Sequence, residues 1–444
     1  MKPLMFITGP VTTRSGYGSH SRDLVRSLIA MDKFDIHINS LRWGNTPMNA
    51  LDEKNPNDKI ILDKILATND MPRQPEIHIQ ISVPNEFTPI AKYNIGITAG
   101  IENTAPKAEW IQGMNRMNMN IVPSKFVKGI FESVTYEEIN EQTQQKTGEL
   151  KSTTPIEVLF EGADTNIYKK TKELSDDLKA EMDSIEERFV FLYTGHWLQG
   201  DLGQDRKDTG MLLKTFLETF KNKPNPPALV MKTSGATFSI IDRNEIKQKI
   251  EDIKNTVKGK LPPVYFLHGN LTDEEMNQMY NHPKVKAHIT FTHGEGFGRP
   301  LLEASLSEKI VIAPDWSGHK DFLNKNNSVL LPGSMTKVHK SSLPKEMLVD
   351  QAEWFTVNYQ YSSQIMMDVF KNNRKYNMKA KKQAMYNRVN FSMDKMIKDF
   401  DKILNKYLPK FEEQPQQVNL QLPKLKKVGE SKPQNMKLPK LKKV

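Results

Sequence analysis

The 444-residue chain has no cysteine. That excludes a disulfide framework, a thiolate zinc site and a cysteine nucleophile, and it fits a reducing compartment. No run approaches the ~18 apolar residues that a membrane span needs. The start, Met1-Lys2-Pro3-Leu4-Met5-Phe6-Ile7-Thr8-Gly9-Pro10, has an apolar run too short for a signal-peptide core. It reads as a first buried strand, and the expected location is the cytoplasm. The sole Asp-x-Asp, Asp399-Phe400-Asp401, falls on a lysine-rich helical stretch, a poor place for a metal–diphosphate site. No metal ligand set is expected.

What is present describes a protein with full cores. Hydrophobic residues make up 37% and charged residues 26%, and the length predicts two or three domains. The net charge of +10 is uneven: residues 411–444 carry eight lysines and three glutamates, so half of it lies in that tail. Leu422-Pro423-Lys424-Leu425-Lys426-Lys427-Val428 recurs word for word as Leu438-Pro439-Lys440-Leu441-Lys442-Lys443-Val444. Prolines and like charges leave such a segment no core to fold around, so a disordered, bivalent basic tail is expected.

Strands are expected at 4–8, 34–38, 76–81, 93–97, 118–122 and 156–160, separated by helical patterns. The stretch 140–154 is polar and reads as an exposed loop. Gly16 and Gly18 fall in a loop, residues 9–18, after the first strand, and Leu24, Val25, Leu28 and Ile29 mark the helix that follows. Residues 168–188 read as a charged helical connection. A second series starts at Arg188, with strands at 189–194, 228–232, 264–268, 286–291 and 310–313, and beyond Gln351 the chain reads as helical and basic. Strand–helix alternation predicts parallel sheets covered on both faces.

The chain is organised around Phe291-Thr292-His293-Gly294-Glu295-Gly296-Phe297-Gly298-Arg299-Pro300-Leu301-Leu302-Glu303. It reads as a strand end, a glycine-rich turn and a helix opening at Pro300. Gly296 and Gly298 let the backbone approach a ligand, and the first helical turn offers amide donors to an anion or to sugar hydroxyls. Glu295 and Glu303 bracket it.

Together these pieces resemble the GT-B glycosyltransferases, in particular the retaining group with a Glu-x7-Glu signature that uses nucleotide sugars. The resemblance spans about residues 4–400. Its further marks are Pro123-Ser124-Lys125-Phe126-Val127, Glu161-Gly162-Ala163-Asp164, and Arg206-Lys207 ahead of Asp208-Thr209-Gly210.

The resemblance implies two Rossmann-like domains, with 1–167 on the acceptor side and 168–385 on the nucleotide-sugar side. It further implies a helix over 386–410 packing back on the first domain, and the tail 411–444. It implies a hexosyl- or pentosyltransferase whose donor is a nucleoside-diphosphate sugar, with no cofactor. Arg206 and Lys207 would hold the diphosphate, with the loop carrying Gly16 and Gly18 facing it from the other domain. Glu303 would accept from the ribose hydroxyls, and Glu295 with the amides of Phe297 and Gly298 would hold the donor sugar. Lys232 would touch the base or its sugar. Glu102 stands where the family often has an acceptor-side polar residue, a plain loop carboxylate being as good a reading, and His20 and His293 lie near the two glycine loops.

Departures stand beside the matches. His196 occupies a position where family members often have arginine, which supports a non-catalytic sugar-nucleotide-binding protein as a second reading; a GT-B epimerase is a third. Arg299 replaces an apolar residue and could add a cation near the donor. The Lys/Asn/Met-rich, cysteine-free character resembles phage-encoded glycosyltransferases, some of which modify hydroxymethylated bases in DNA. An anionic acceptor such as DNA, reached through the basic tail, is therefore a further reading.

Overall fold

Leu4, Met5 and Ile7 are wholly buried, as are Ile77, Ile95 and Val190 in other strands, which is how a parallel strand covered on both faces reads. The computed structural model describes residues 2–68, 71, 73–140, 142–235, 237–342 and 349–411. The lysine repeats, from residue 412 on, lie outside the described residues. The body comprises Lys2–Pro409.

Its first half runs β1 (Leu4–Gly9), α1 (Gly16–Met31), β2 (Asp35–Ser40), α2 (Pro56–Leu62), β3 (Ile77–Ile81), β4 (Tyr93–Ile97), α3 (Ala108–Asn115), β5 (Met119–Val122), α4 (Lys125–Ser133), β6 (Thr135–Ile139), β7 (Lys146–Lys151) and β8 (Ile156–Val158). After α5 (Asp176–Asp183) the second half repeats the scheme. It runs β9 (Val190–His196), α6 (Thr209–Phe220), β10 (Ala228–Ser234), α7 (Ile240–Asn255), β11 (Val264–Leu267), α8 (Asp273–Asn281), β12 (Val285–Ile289), α9 (Arg299–Leu306), β13 (Ile310–Pro314), β14 (Val329–Leu331), β15 (Gly333–Lys337) and β16 (Glu353–Val357). Three helices close the body: α10 (Tyr359–Lys371), α11 (Asn373–Asn390) and α12 (Met393–Tyr407).

Each half holds a six-stranded parallel sheet, in the orders β2-β1-β3-β4-β5-β8 and β11-β10-β9-β12-β13-β14. Strand order reverses at β1/β3 in one and at β9/β12 in the other, and ligands of such sheets bind beyond the strand ends at that reversal. In β9, Phe191 and Tyr193 face α6 and α7 while Val190 and Leu192 face the opposite layer with α9. One sheet therefore serves two apolar layers.

The last helices tie the body together. Thr219 on α6 donates to Ser363 on α10 at 2.8 Å, and Asn387 on α11 donates to Ser305 on α9 at 2.7 Å. The α12 segment returns to the first half: the Met393 amide donates to the Ala163 carbonyl at 2.8 Å, and Lys33 pairs with Asp401 at 2.5 Å. Asp399 is likewise engaged, by Lys395 and Lys402. The Asp-x-Asp residues are thus spent on lysines of the chain itself.

Five local expectations change. Residues 140–154 are loop only in part: Lys146–Lys151 form β7, which pairs with β6 in an antiparallel hairpin that shows no apolar alternation because it is mostly exposed. Gly16 and Gly18 are not in a loop but in the first turn of α1, capped by Ser15, whose hydroxyl accepts from the Gly18 amide at 2.9 Å. α9 opens at Arg299, one residue before Pro300. Only Asp176–Asp183 of the stretch 168–188 is α-helical. Beyond Gln351 a strand comes first: β16 pairs with β15 and its Trp354 and Val357 are buried.

Candidate functional site

Two loops leave the sheet where the second strand order reverses: residues 197–208 after β9 and 290–298 after β12. Their backbones are joined, since the His293 amide donates to the Arg206 carbonyl at 3.0 Å. The His293 ring is a fastener. It stacks on Trp354 at 4.1 Å, with Nδ1 2.8 Å from the Phe355 carbonyl and Nε2 3.2 Å from that of Gly203. Burial lowers its pKa, against the pull of the Phe355 and Gly203 carbonyls.

The first half meets this loop directly. Ser124 donates to the Gly296 carbonyl at 2.6 Å, and the Lys125 amide donates to Asp321 at 2.8 Å. A Cβ on Gly296 would lie 2.3 Å from the Ala99 carbonyl oxygen, so glycine is what permits this approach. Gly298 has φ +96° and forms the N-cap of α9, a conformation side chains resist. The turn is thus held between Ala99–Glu102, after β4, and Ser317–Gly318, where the Glu295 amide donates to Ser317 at 2.9 Å.

Three cations and four carboxylates are gathered here. Lys207 pairs with Glu295 at 2.5 Å, and both side chains are nearly buried. Arg206 pairs with Glu102 across the two halves. Arg299 pairs with Asp23 of α1, again across the halves, and its Nε donates to Glu303 at 2.8 Å. Burial pushes the Glu295 carboxyl up, but Lys207 and Arg206 outweigh it and hold the group below its ordinary range. Lys207 is lowered, by burial first and then by Arg206. Glu303 is pushed up to about 7 by burial, against the pull of Arg299 and with Asp273 adding to the rise. The hydroxyls of Tyr168 and Tyr280 lie against it.

The remaining expected positions are distributed around this cluster. The Phe297 ring is in the core, 5.0 Å from Phe322, which leaves its backbone as the part that can face a ligand. Gly16 has open space at its Cβ position, whereas Gly18 is pressed against the Thr13 carbonyl and serves packing. Lys232, at the end of β10, donates to the Gly269 carbonyl at 2.7 Å and lies 5.7 Å over Phe238. Burial brings its pKa down to about 8. His196 has its Nδ1 3.0 Å from the Gly235 carbonyl, and burial, with Arg206 adding, lowers it to about 4. It supplies no positive charge at pH 7. His20 is buried and its Nδ1 has no partner among the described residues; burial first and then Arg299 lower it to about 3.

Sequence reasoning missed Asp23, Ser317, Tyr168 and Tyr280. Asp23 left a faint signal, an acid beside Leu24 on the buried face of α1. The tyrosines left none as site residues, because Tyr280 on α8 and Tyr168 ahead of α5 meet Glu303 only once both pack against α9.

Neither a family model nor a curated protein matches the sequence. Solved structures do. The chain is similar to HepE from Anabaena in complex with UDP and glucose, at 14% identity over 91% of this chain and 100% of that one, with a TM-score of 0.56. A glycosyltransferase from Rickettsia africae matches at 14% identity over 92% and 100%, with a TM-score of 0.57. Sucrose-phosphate synthase from Thermosynechococcus elongatus matches at 11% identity over 91% and 99%, with a TM-score of 0.59. At such identities the likeness speaks for architecture, and it agrees with two six-stranded parallel sheets in tandem: the chain has the GT-B fold.

Proposed function

We propose that this chain is a retaining glycosyltransferase that moves a sugar from a nucleoside-diphosphate sugar to an acceptor hydroxyl. The observation that carries the reading is the placement of Arg206 and Lys207 against Glu102 and Glu295 at the strand-order reversal, facing the first half. The fold neighbour HepE, seen with UDP and glucose, supports the donor class.

In this reading the diphosphate takes the places that Glu102 and Glu295 hold on the two cations. Arg206 and Lys207 then stabilise charge building on the departing phosphate oxygen, in a buried setting where such contacts are strong. Glu303, fixed by Arg299, accepts from the ribose hydroxyls. Glu295, freed from Lys207, and the amides of Phe297 and Gly298 hold the donor sugar. Gly16 faces the diphosphate from α1, and Lys232 lies toward the base. Chemistry is a same-face displacement. The anomeric carbon–phosphate oxygen bond breaks as the bond to the acceptor oxygen forms, and the departing phosphate takes the acceptor's proton.

His196 favours a second reading. It is neutral where a cation would be expected, and in this reading the cleft holds a nucleotide sugar without turning it over. A donor panel separates the two. UDP-, GDP-, ADP- and CMP-sugars are incubated with small acceptors, and with DNA with or without hydroxymethylated bases, following nucleotide release and product mass. Transfer with the donor's anomeric configuration supports the proposal. Binding without release under every acceptor supports the second reading, and neither binding nor release contradicts both.

A further inference from the structure

Helix α11 is two-faced in an unusual way. Its inner face, with Tyr376, Ala380, Gln383, Ala384 and Asn387, is buried against the second half. On the outer face Met378, Met385 and Val389 are each 69% exposed, and Tyr386 is 43% exposed. At about 100° per residue the first three fall within roughly 40° of one another, a narrow apolar stripe down the helix. Single exposed apolar residues are ordinary, but an aligned row of them marks a contact surface.

The charges fringe this stripe on both sides. The 18-residue helix contains Arg374, Lys375, Lys379, Lys381, Lys382 and Arg388 and no acidic residue. Among the described residues, Lys375 is the one of these that forms an ion pair, at 3.7 Å with Asp368. Lys381 and Lys382 stand on opposite flanks of the stripe at helical spacing. Apolar side chains in the middle with cations on either side suit a surface that is itself apolar below and anionic at its rim. That is the headgroup–acyl boundary of an anionic bilayer. A nucleic acid backbone would use the cations and leave the methionines and Val389 in water.

We propose that the outer face of α11 docks the body on anionic lipid membranes, with Met378, Met385 and Val389 entering the acyl boundary and the flanking lysines and arginines on lipid phosphates. This does not rest on glycosyl transfer. No helix of the described residues is long and apolar enough to cross a membrane; the contact is interfacial.

The test uses the full chain, sedimented with vesicles of phosphatidylcholine alone or containing phosphatidylglycerol, at physiological salt. Wild type should sediment with the anionic vesicles and far less with the neutral ones. Each cation near such a surface is worth roughly a fivefold factor in affinity. Lys381→Gln/Lys382→Gln should therefore lose about tenfold or more. Met378→Ser/Met385→Ser/Val389→Ser should lose at least as much, with unchanged circular dichroism melts because every altered side chain is exposed. The chain has no native cysteine, so a polarity-sensitive dye on Val389→Cys reports this position alone and should shift to the blue on anionic vesicles. Wild-type binding by both variants with no dye shift would overturn the proposal. So would stripe variants that only abolish self-association, or lysine variants that lose duplex DNA binding while vesicle binding stays intact.

Discussion

Arg299 bridges the two halves of the body: its guanidinium pairs with Asp23 of α1 while its Nε donates to Glu303, one turn along α9, at 2.8 Å. One side chain thus fixes both the closure of the halves at α1 and the carboxylate proposed to read the ribose. Removing it takes the cation from buried Glu303 and leaves Asp23 with Arg26, at 3.6 Å. Arg299→Met should cost about 3–5 kcal/mol, the usual consequence of breaking a buried pair from one side. Adding Asp23→Leu should recover part of that loss, because the uncompensated charge goes with it. Urea midpoints of the three proteins check this; equal midpoints for the single and double variants would contradict it.

The glycines separate by environment. Gly298→Ala should destabilise by roughly 1–2 kcal/mol, since φ +96° is left-handed and the new Cβ would lie 3.1 Å from that of His319. Gly16→Ala meets nothing within 4 Å on a helical residue. It should leave stability unchanged or raise it by up to about 0.5–1 kcal/mol. Thermal melts showing the same sign for both would refute the distinction.

Glu102 and Lys207 should act in opposite directions on nucleotide binding. Glu102→Gln frees Arg206 from its carboxylate partner and should tighten a nucleoside diphosphate several-fold. Lys207→Ala removes a diphosphate contact and leaves Glu295 unpaired. It should lower kcat/KM for nucleotide release by about 100-fold or more. Glu303→Ala should lose a comparable factor. Titration calorimetry and steady-state rates on folded variants decide it, and wild-type rates in Lys207→Ala would mean the diphosphate lies elsewhere.

Acid should weaken the fold through its buried histidines. Burial lowers His20 and His288 to about 3 and His78 and His196 to about 4. Each is below the unfolded value of 6.5, so the unfolded chain takes up these protons first, and the contribution is complete above pH 6.5 and lost as pH falls. Glu161 and Glu303, both pushed up to about 7 chiefly by burial, pull the other way between about 4.5 and 7. Burial also lowers His282, His293 and His319 and raises Asp23, Asp205, Asp208 and Asp321, so among the described residues seven lowered histidines stand against six raised carboxyls. The urea midpoint should therefore fall from pH 7.5 to pH 5.5; a flat or rising midpoint would show that the histidines are charged in the fold.

The architecture was legible because parallel strands covered on both faces leave continuous apolar runs and the segments between them carry helical spacing. Glu295, Arg206 and Lys207 were legible as a pattern, while the pairings they make were not. Asp23 and Arg299 lie 276 residues apart, and Glu102 and Arg206 lie 104 apart, so those pairs exist only through tertiary closure. The β6–β7 hairpin escaped notice for the opposite reason: with little to bury, it leaves no alternation to read. Gly16 and Gly18 were misplaced because a serine cap, not a glycine turn, begins α1.

The central claim is that Arg206 and Lys207 hold the diphosphate of a donor. Its most direct measurement is titration of the full chain with UDP, GDP, ADP and the matching nucleosides, beside Arg206→Ala/Lys207→Ala. One nucleoside diphosphate should bind saturably, at least 100-fold tighter than its nucleoside, and the double variant should erase that difference while the nucleoside binds both proteins alike. Equal affinity of wild type and double variant for the diphosphate would contradict the account.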